Sequence, residues 1–196
     1  SKIENLKKDK DKIKEQLEEE KKQKKQLLVI VDNEIENKEQ IKQKLIEDEK
    51  KLKSIIDELL KKAAKEAKDQ IRLKDTKKTK SNETVVPFEG GDFKKLKGKL
   101  PYPVKGNIKY QFDTKRKDTG IKWKGIFIAA KEGEEVIAVA DGKVAYADWL
   151  RGFGNLIIID HGQGYMSLYG YNESILLNVN DEAKAGDVIA TVGNTG

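Results

Sequence analysis

The 196-residue chain contains no cysteine, one histidine and three prolines. Without cysteine it has neither a disulfide framework nor a thiolate metal site. A histidine-based catalytic zinc centre takes two or three imidazoles and a Ser-His triad takes one that is free to work, so a single His can barely supply either. Charged residues make up 38% of the chain, and no apolar run approaches the length of a membrane span. The net charge of +6 comes from 40 Lys+Arg interleaved with 34 Asp+Glu. That pattern describes a salt-laced surface rather than the one-sign field that nucleic acid binding needs, so nucleic acid is not an expected partner.

Glycine and proline are missing from only part of the chain. The first proline is Pro87 and the first glycine is Gly90, so turn punctuation is confined to the C-terminal half. The basic excess divides the same way: residues 1–84 carry a net +5 and residues 85–196 a net +1. The chain opens on Ser1 without an n-region or h-region and reads as a fragment or processed form, which says nothing about compartment.

The N-terminal half has the pattern of one long helix. With Ile3 at heptad position a and Leu6 at d, the register runs to Leu59 through Ile13, Leu17, Leu27, Val31, Ile41, Leu45, Leu52 and Ile55. The polar exceptions on this seam are Lys10, Glu20, Lys24, Glu34, Lys38 and Asp48, residues that weaken a coiled coil while fixing its register. A helix of that extent is roughly 90 Å long and cannot bury its own stripe. Without an internal turn its partner is expected upstream or on another chain, and a solvated spacer competes with a docking surface as the reading of its role. After Leu60 the stripe weakens to Ala63, Ala64, Ala67, Ile71 and Leu73, then gives way to the polar run KDTKKTKSNE (74–83), a flexible linker by composition. The expected layout is a coiled coil over 1–60, a short helix and linker over 61–92, and a β domain over 93–196.

From Phe93 onward, short β-rich segments alternate with glycine-containing turns. Asp141-Gly142 between VIAVA and KVAYADW predicts a type I′ hairpin joining Val136–Ala140 to Lys143–Trp149. LIIID (156–160) has the apolar continuity of a central strand, and HGQG turns it into YMSLYGY (165–171). Alternation puts Tyr165, Ser167, Tyr169 and Tyr171 on one face of that strand, and Trp123, Gly125 and Phe127 of WKGIFIAA on one face of another. Such aromatic faces serve as core or as an exposed binding surface, and pattern alone leaves both open. His161, opening the HGQG turn with no second ligand in view, reads as a structural group bonded to turn backbone.

GKLPYPVKGNIKYQF (98–112), WKGIFIAAKEGEEVIAVADGKVAYADWLRGFGNLIIIDHGQGYMSLYGYN (123–172) and VNDEAKAGDVIATVGNTG (179–196) together resemble the LytM, or lysostaphin-like, zinc endopeptidase domain. The resemblance implies a mainly antiparallel β domain, placing the chain in the α+β multidomain class. Active members of the family hold zinc with a His and an Asp four residues later; a further His ends a YAH motif, and a His-x-His pair lies near the domain end. Here the first two positions are Trp123 and Phe127, and the YAH histidine is Tyr171. An indole N–H only donates and a phenyl ring has no lone pair, so neither ligates zinc, and no cofactor is expected. The His-x-His region lies beyond Gly196, and an intact pair there would still leave two ligand positions apolar.

Metal-free members of this family that carry a coiled coil bind and switch on periplasmic peptidoglycan amidases during division. The resemblance therefore implies a non-catalytic murein hydrolase activator at the septum of a Gram-negative bacterium, in the periplasm. Its amidase-binding groove would hold Lys124, Phe127, Phe153, Leu156 and Tyr169. Strand parity points Lys124 away from Phe127, which makes it the weak member of that set. The resemblance further implies that the coiled coil docks on the FtsEX transporter-like complex, with peptidoglycan as a further contact. It also implies an autoinhibitory helix over the groove, for which Ala63, Ala64, Ala67 and Ile71 are the candidate face. The competing reading is a zinc-dependent peptidoglycan endopeptidase.

Overall fold

A computed structural model describes residues 2–76 and 93–194. Helix α1 spans Lys2–Thr76, followed by a 3-10 turn at Phe93–Leu96. Eight strands complete the chain: β1 (Asn107–Tyr110), β2 (Phe127–Ala129), β3 (Glu135–Ile137), β4 (Gly142–Leu150), β5 (Gly154–Asp160), β6 (Met166–Ile175), β7 (Glu182–Ala183) and β8 (Val188–Val192). Among the described residues no helix is long and apolar enough to cross a membrane. The run at 74–83 lies outside the described residues from position 77 on.

Two compact units divide the chain, Ser1–Lys44 with Lys115–Ile121 and Leu45–Thr114 with Lys122–Gly196. In the first unit the seam residues are exposed, Ile13 at 64%, Leu17 at 50% and Leu27 at 60%. α1 itself passes residues 60 and 61 without a break. The expected separate helix at 61–75 is thus the last part of the same helix, because nothing in LLKKAAKEAKD breaks helical propensity.

In the second unit the same heptad stripe has a partner. Leu45, Leu52, Ile55, Leu59 and Ala63 are partly buried and Asp48 is 7% exposed, at the spacing that puts them on one face. Asp48 meets Arg151, just past the end of β4, while Leu59, Lys62, Ala63 and Glu66 share a cavity of about 50 Å3 with Lys143, Val144, Ala145 and Asp160 near its start. α1 therefore runs antiparallel to β4, roughly 20 Å of helix alongside roughly 25 Å of strand. Over this stretch the stripe expected to need a partner helix is met by the β domain.

The six-stranded sheet has the order β3-β8-β6-β5-β4-β7, with β1 and β2 as a separate pair. As LIIID implied, β5 is central: Ile157, Ile158 and Ile159 are each 0% exposed, burial worth roughly 1.5–3 kcal/mol per side chain. HGQG does turn β5 into β6, where His161 N–H donates to Tyr165 O and Tyr165 N–H to Gly162 O. Cross-strand register places Val144, Ile159 and Ser167 on one face with Ile157 and Tyr169, and Leu156, Ile158 and Leu168 on the other. The first face contributes Val144, Ile157, Ile159 and Tyr169 to the core, which Val136, Ala138, Ala183, Ile189 and Ala190 complete.

The expected Asp141-Gly142 hairpin does not form. β3 pairs with β8, and β4 with β5 and β7. Neither Asp141 nor Gly142 takes the positive φ that a type I′ turn requires of both. The backbone groups of Ala138 that a hairpin would use are engaged elsewhere, its N–H donating to Asp187 O and its carbonyl accepting from Gly186 N–H, and the Asp141 carboxylate accepts from Ala185 N–H. Glycine at 142 answers to packing. A Cβ there would collide with Ile159 Cγ2 and lie 2.8 Å from Asp160 O and 2.9 Å from His161 Nδ1.

His161 is 1% exposed. Its ring stacks on Phe93 at 4.4 Å and 13°. Nδ1 lies 2.7 Å from Asp141 O, a carbonyl that can only accept, so Nδ1 carries the proton and Nε2 accepts from Ser167 Oγ at 2.7 Å. Ser167 Oγ is in turn bonded to Tyr169 Oη at 2.9 Å. Burial is the largest influence on the imidazole and lowers its pKa from 6.5, against smaller raising effects of the Asp141 carbonyl and of Asp160 and Asp141.

Two expected outcomes test this packing. Gly142→Ala should lower stability by about 1–3 kcal/mol in urea titrations, the usual cost of forcing a methyl group into a filled core. With His161 neutral when folded and free to protonate when unfolded, the unfolded chain binds more protons below pH 6.5. Stability is therefore full above that value and falls as pH drops through it towards the lowered folded pKa. Since the chain has one histidine, His161→Gln should flatten the urea midpoint between pH 7.5 and 5.5, and a slope equal to the parent's would contradict the assignment.

Candidate functional site: an aromatic cluster beside the main sheet

The β1–β2 pair sets up the site. Tyr110 lies opposite Phe127 in its ladder, and beyond it Asp113 N–H donates to Trp123 O while Trp123 N–H donates to Thr114 O. This pairing stacks Trp123 on Tyr110 with ring centroids 4.7 Å apart at 11°. Phe127 meets Tyr110 at 5.8 Å, Trp123 at 5.7 Å and Tyr171 at 5.7 Å. The four rings form one contiguous surface in the offset and edge-on arrangements that aromatic quadrupoles favour. The expected strand from Trp123 is shorter than its pattern suggested: Lys124 and Gly125 form a bend and β2 begins at Phe127. Trp123 and Phe127 nonetheless remain ring neighbours.

Tyr171 completes the cluster through an unusual backbone. Its φ is +62°, a left-handed value that costs a non-glycine residue about 1 kcal/mol or more and persists where surroundings over-determine it. They do so here. Tyr171 N–H donates to Phe153 O at 2.7 Å, Gly193 N–H donates to Tyr171 O at 3.0 Å, and the phenol donates to Gly152 O at 2.9 Å. The change of direction takes Tyr171 out of the face expected for Tyr165, Ser167 and Tyr169.

The sequence-derived groove residues separate accordingly. Phe127 is half-buried within the cluster. Phe153 and Leu156 approach the kink from beneath, since a Cβ on Gly170 would lie 3.0 Å from Phe153 O and 3.9 Å from Leu156 Cδ1. Leu156 is 1% exposed, so it shapes the floor rather than offering surface. Lys124 is exposed in the bend beside Trp123, which removes the parity argument against it. Tyr169 does not join the rings: it pairs with Ile157, is 7% exposed, and its hydroxyl accepts from Val139 N–H. Of the autoinhibitory face, Ala63 lines the cavity near the start of β4, at the other end of that strand from Gly152, and Ala64 is exposed. The side chains of Ala67 and Ile71 lie outside the described residues.

Sequence reasoning missed Tyr110, whose signal was the alternation in NIKY, and the contact of Asp48 with Arg151, for which the polar seam position was the only trace. Cations border the rings: Lys109 Nζ stands 5.8 Å from the Tyr110 centroid, and Lys122 pairs with Asp113 at 2.8 Å.

The residues present do not fit zinc. Trp123 and Phe127 have no lone pair to give, and Tyr171 spends its hydroxyl on a carbonyl. Among the described residues no group of three His, Asp or Glu is placed to hold a metal ion. The arrangement offers instead a partly exposed aromatic surface with cationic margins, chemistry suited to an apolar or acidic segment.

Residues 121–196 match peptidase family M23. The chain is 37% identical to the murein hydrolase activator EnvC of Escherichia coli over 69% of its own length and 34% of that protein. It is 53% identical to the murein hydrolase activator NlpD of the same organism over 37% of this chain and 20% of the relative. It thus spans between a fifth and a third of these relatives. Among solved structures, a zinc containing peptidase from Vibrio cholerae is 28% identical over 48% of this chain and 32% of that one, with a TM-score of 0.46. The mainly antiparallel sheet and the match of residues 121–196 thus give the C-terminal part of this chain the fold of a peptidase family M23, or LytM, domain, in a chain similar to the murein hydrolase activators.

Proposed function

We propose that the chain belongs to a non-catalytic activator of cell-wall cleavage in the periplasm of a Gram-negative bacterium, acting at the division septum. Its immediate partner is a peptidoglycan amidase of the N-acetylmuramoyl-L-alanine type, bound through the aromatic surface. The observation that carries this reading is the contact of Phe127 with both Trp123 and Tyr171 at ring-centroid distances of 5.7 Å. These three positions would hold metal or a catalytic His in an active relative, and here they form one apolar patch. Relatives named as activators support the direction of the change.

The helical arm supplies control. Its exposed stripe, Ile13, Leu17, Leu27 and Val31, is the docking face for a coiled-coil partner and for an FtsEX complex in the membrane. α1 restrains the domain in the resting state and leaves on signal, a population shift between two arrangements.

Phe127→Glu should abolish amidase stimulation in a dye-release assay on labelled murein, by at least roughly tenfold, the scale of a central interface residue. Its melting temperature should stay near the parent's because the ring is only half-buried. Normal stimulation by this variant would remove the aromatic surface as the partner site. Tyr169→Ala is unsuitable for that test, since truncating this core ring should cost about 3–5 kcal/mol of stability.

A further inference from the structure

Asp48 is an acid on an apolar helix stripe, and its surroundings give it a specific task. Its side chain is 10% exposed and its Oδ1 accepts from Arg151 Nε at 2.7 Å. Glu47, one residue before, accepts from Arg151 Nη2 at 3.0 Å. The guanidinium thus bridges two consecutive carboxylates of α1, a charge-assisted pairing with defined geometry. The next residue of the turn, Gly152, has a φ of +83°, and a Cβ there would stand 2.6 Å from Asp48 Oδ2. The helix therefore rests directly on the backbone of this turn, where only glycine leaves room.

The opposite side of the same glycine faces the aromatic cluster. Gly152 O accepts the Tyr171 hydroxyl at 2.9 Å, Phe153 O accepts Tyr171 N–H at 2.7 Å, and the Tyr171 ring meets Phe127. One short turn, Leu150–Gly154, is thereby held from α1 and holds Tyr171 in its left-handed conformation. Arg151 remains 47% exposed, so competing carboxylates and water can reach it and the contact can open.

We propose that Asp48 and Arg151 form a latch that couples the docking of α1 to the shape of the aromatic site. With Asp48 seated on Gly152 the turn is fixed and Tyr171 is held against Phe127. When α1 lifts, Gly152 is freed on that side, the Tyr171 hydroxyl bond loosens, and the cluster opens to the partner. Restraint is exerted at Glu47–Asp48, fifteen residues before the alanine face of the helix begins at Ala63. The regulatory meaning rests on the reading of the aromatic surface as an amidase site, whereas the coupling itself does not.

Hydrogen exchange on the whole chain separates the two. Asp48→Asn and Arg151→Gln should each speed exchange roughly tenfold both in α1 residues 45–63 and in the Tyr171 and Gly193 amides, the scale of one lost charged hydrogen bond. The Ile157–Ile159 amides of the buried central strand should not change, which excludes general unfolding. Combining both substitutions should add little to either alone, as expected for one shared interaction, and Arg151→Lys should fall between parent and Arg151→Gln. Faster exchange in α1 with Tyr171 and Gly193 unchanged would overturn the coupling, as would no change in either segment. In the murein assay the same variants should raise amidase stimulation. A released helix and altered Tyr171 with unchanged stimulation would overturn the regulatory role. A parent protein that fails to stimulate at all would overturn the functional reading and leave the exchange data to decide the coupling.

Discussion

The site depends on the left-handed backbone of Tyr171. At that residue β6 shifts its register against β5, between the pairs Ile157–Tyr169 and Asn155–Asn172. Three hydrogen bonds, to Phe153 O, from Gly193 N and to Gly152 O, hold a conformation that an isolated tyrosine would avoid. Without the kink, strict alternation would keep Tyr171 on the face of Tyr169, in the core. With it, the ring reaches Phe127, and the β1–β2 pair and the β5–β6 pair meet through side chains. The buried Asn172 secures the same point, donating to Asn155 O and to Tyr169 O.

What could be read from the residues divides along physical lines. LIIID declared a central strand because continuous apolar character has few other uses in a short β segment, and HGQG declared a turn through its glycines. Asp141-Gly142 misled because the pair satisfies the preferences of a type I′ hairpin while the actual demand on Gly142 is lack of volume beside Ile159. That demand is set by tertiary contact and leaves no local signature. Tyr169 was misplaced for a related reason. Alternation assigns a face, but whether that face is core depends on residues of β3, β8 and β7 joining it, and the order β3-β8-β6-β5-β4-β7 is not written in any one segment.

The helix makes the same point in one dimension. A single heptad register runs through α1, yet Leu17 and Leu27 are exposed while Leu52 and Leu59 are partly covered in contact with the β domain's own unit. Periodicity reports that one side of a helix avoids water and is silent on what covers it. Asp48 is the residue at which the difference becomes chemical. In a coiled-coil seam an aspartate fixes register at a cost in stability. Against Arg151 and the bare backbone of Gly152 it is satisfied, and the cost of burying a carboxylate is offset by a charged partner at 2.7 Å.

A metal centre and a cluster of aromatic rings are two ways of joining the same elements of a fold, and they leave different surfaces behind. Zinc holds its ligands together by coordination, so removing the ion from a cleft leaves side chains that repel or solvate separately. Trp123, Phe127 and Tyr171, with Tyr110 stacked alongside, join the β1–β2 pair to the main sheet by mutual ring contact and need no ion to do so. A surface of that kind, left permanently open, would associate indiscriminately. The arginine-glycine pair in the turn that supports Tyr171, with a helix carboxylate against it, ties the shape of this surface to the seating of α1.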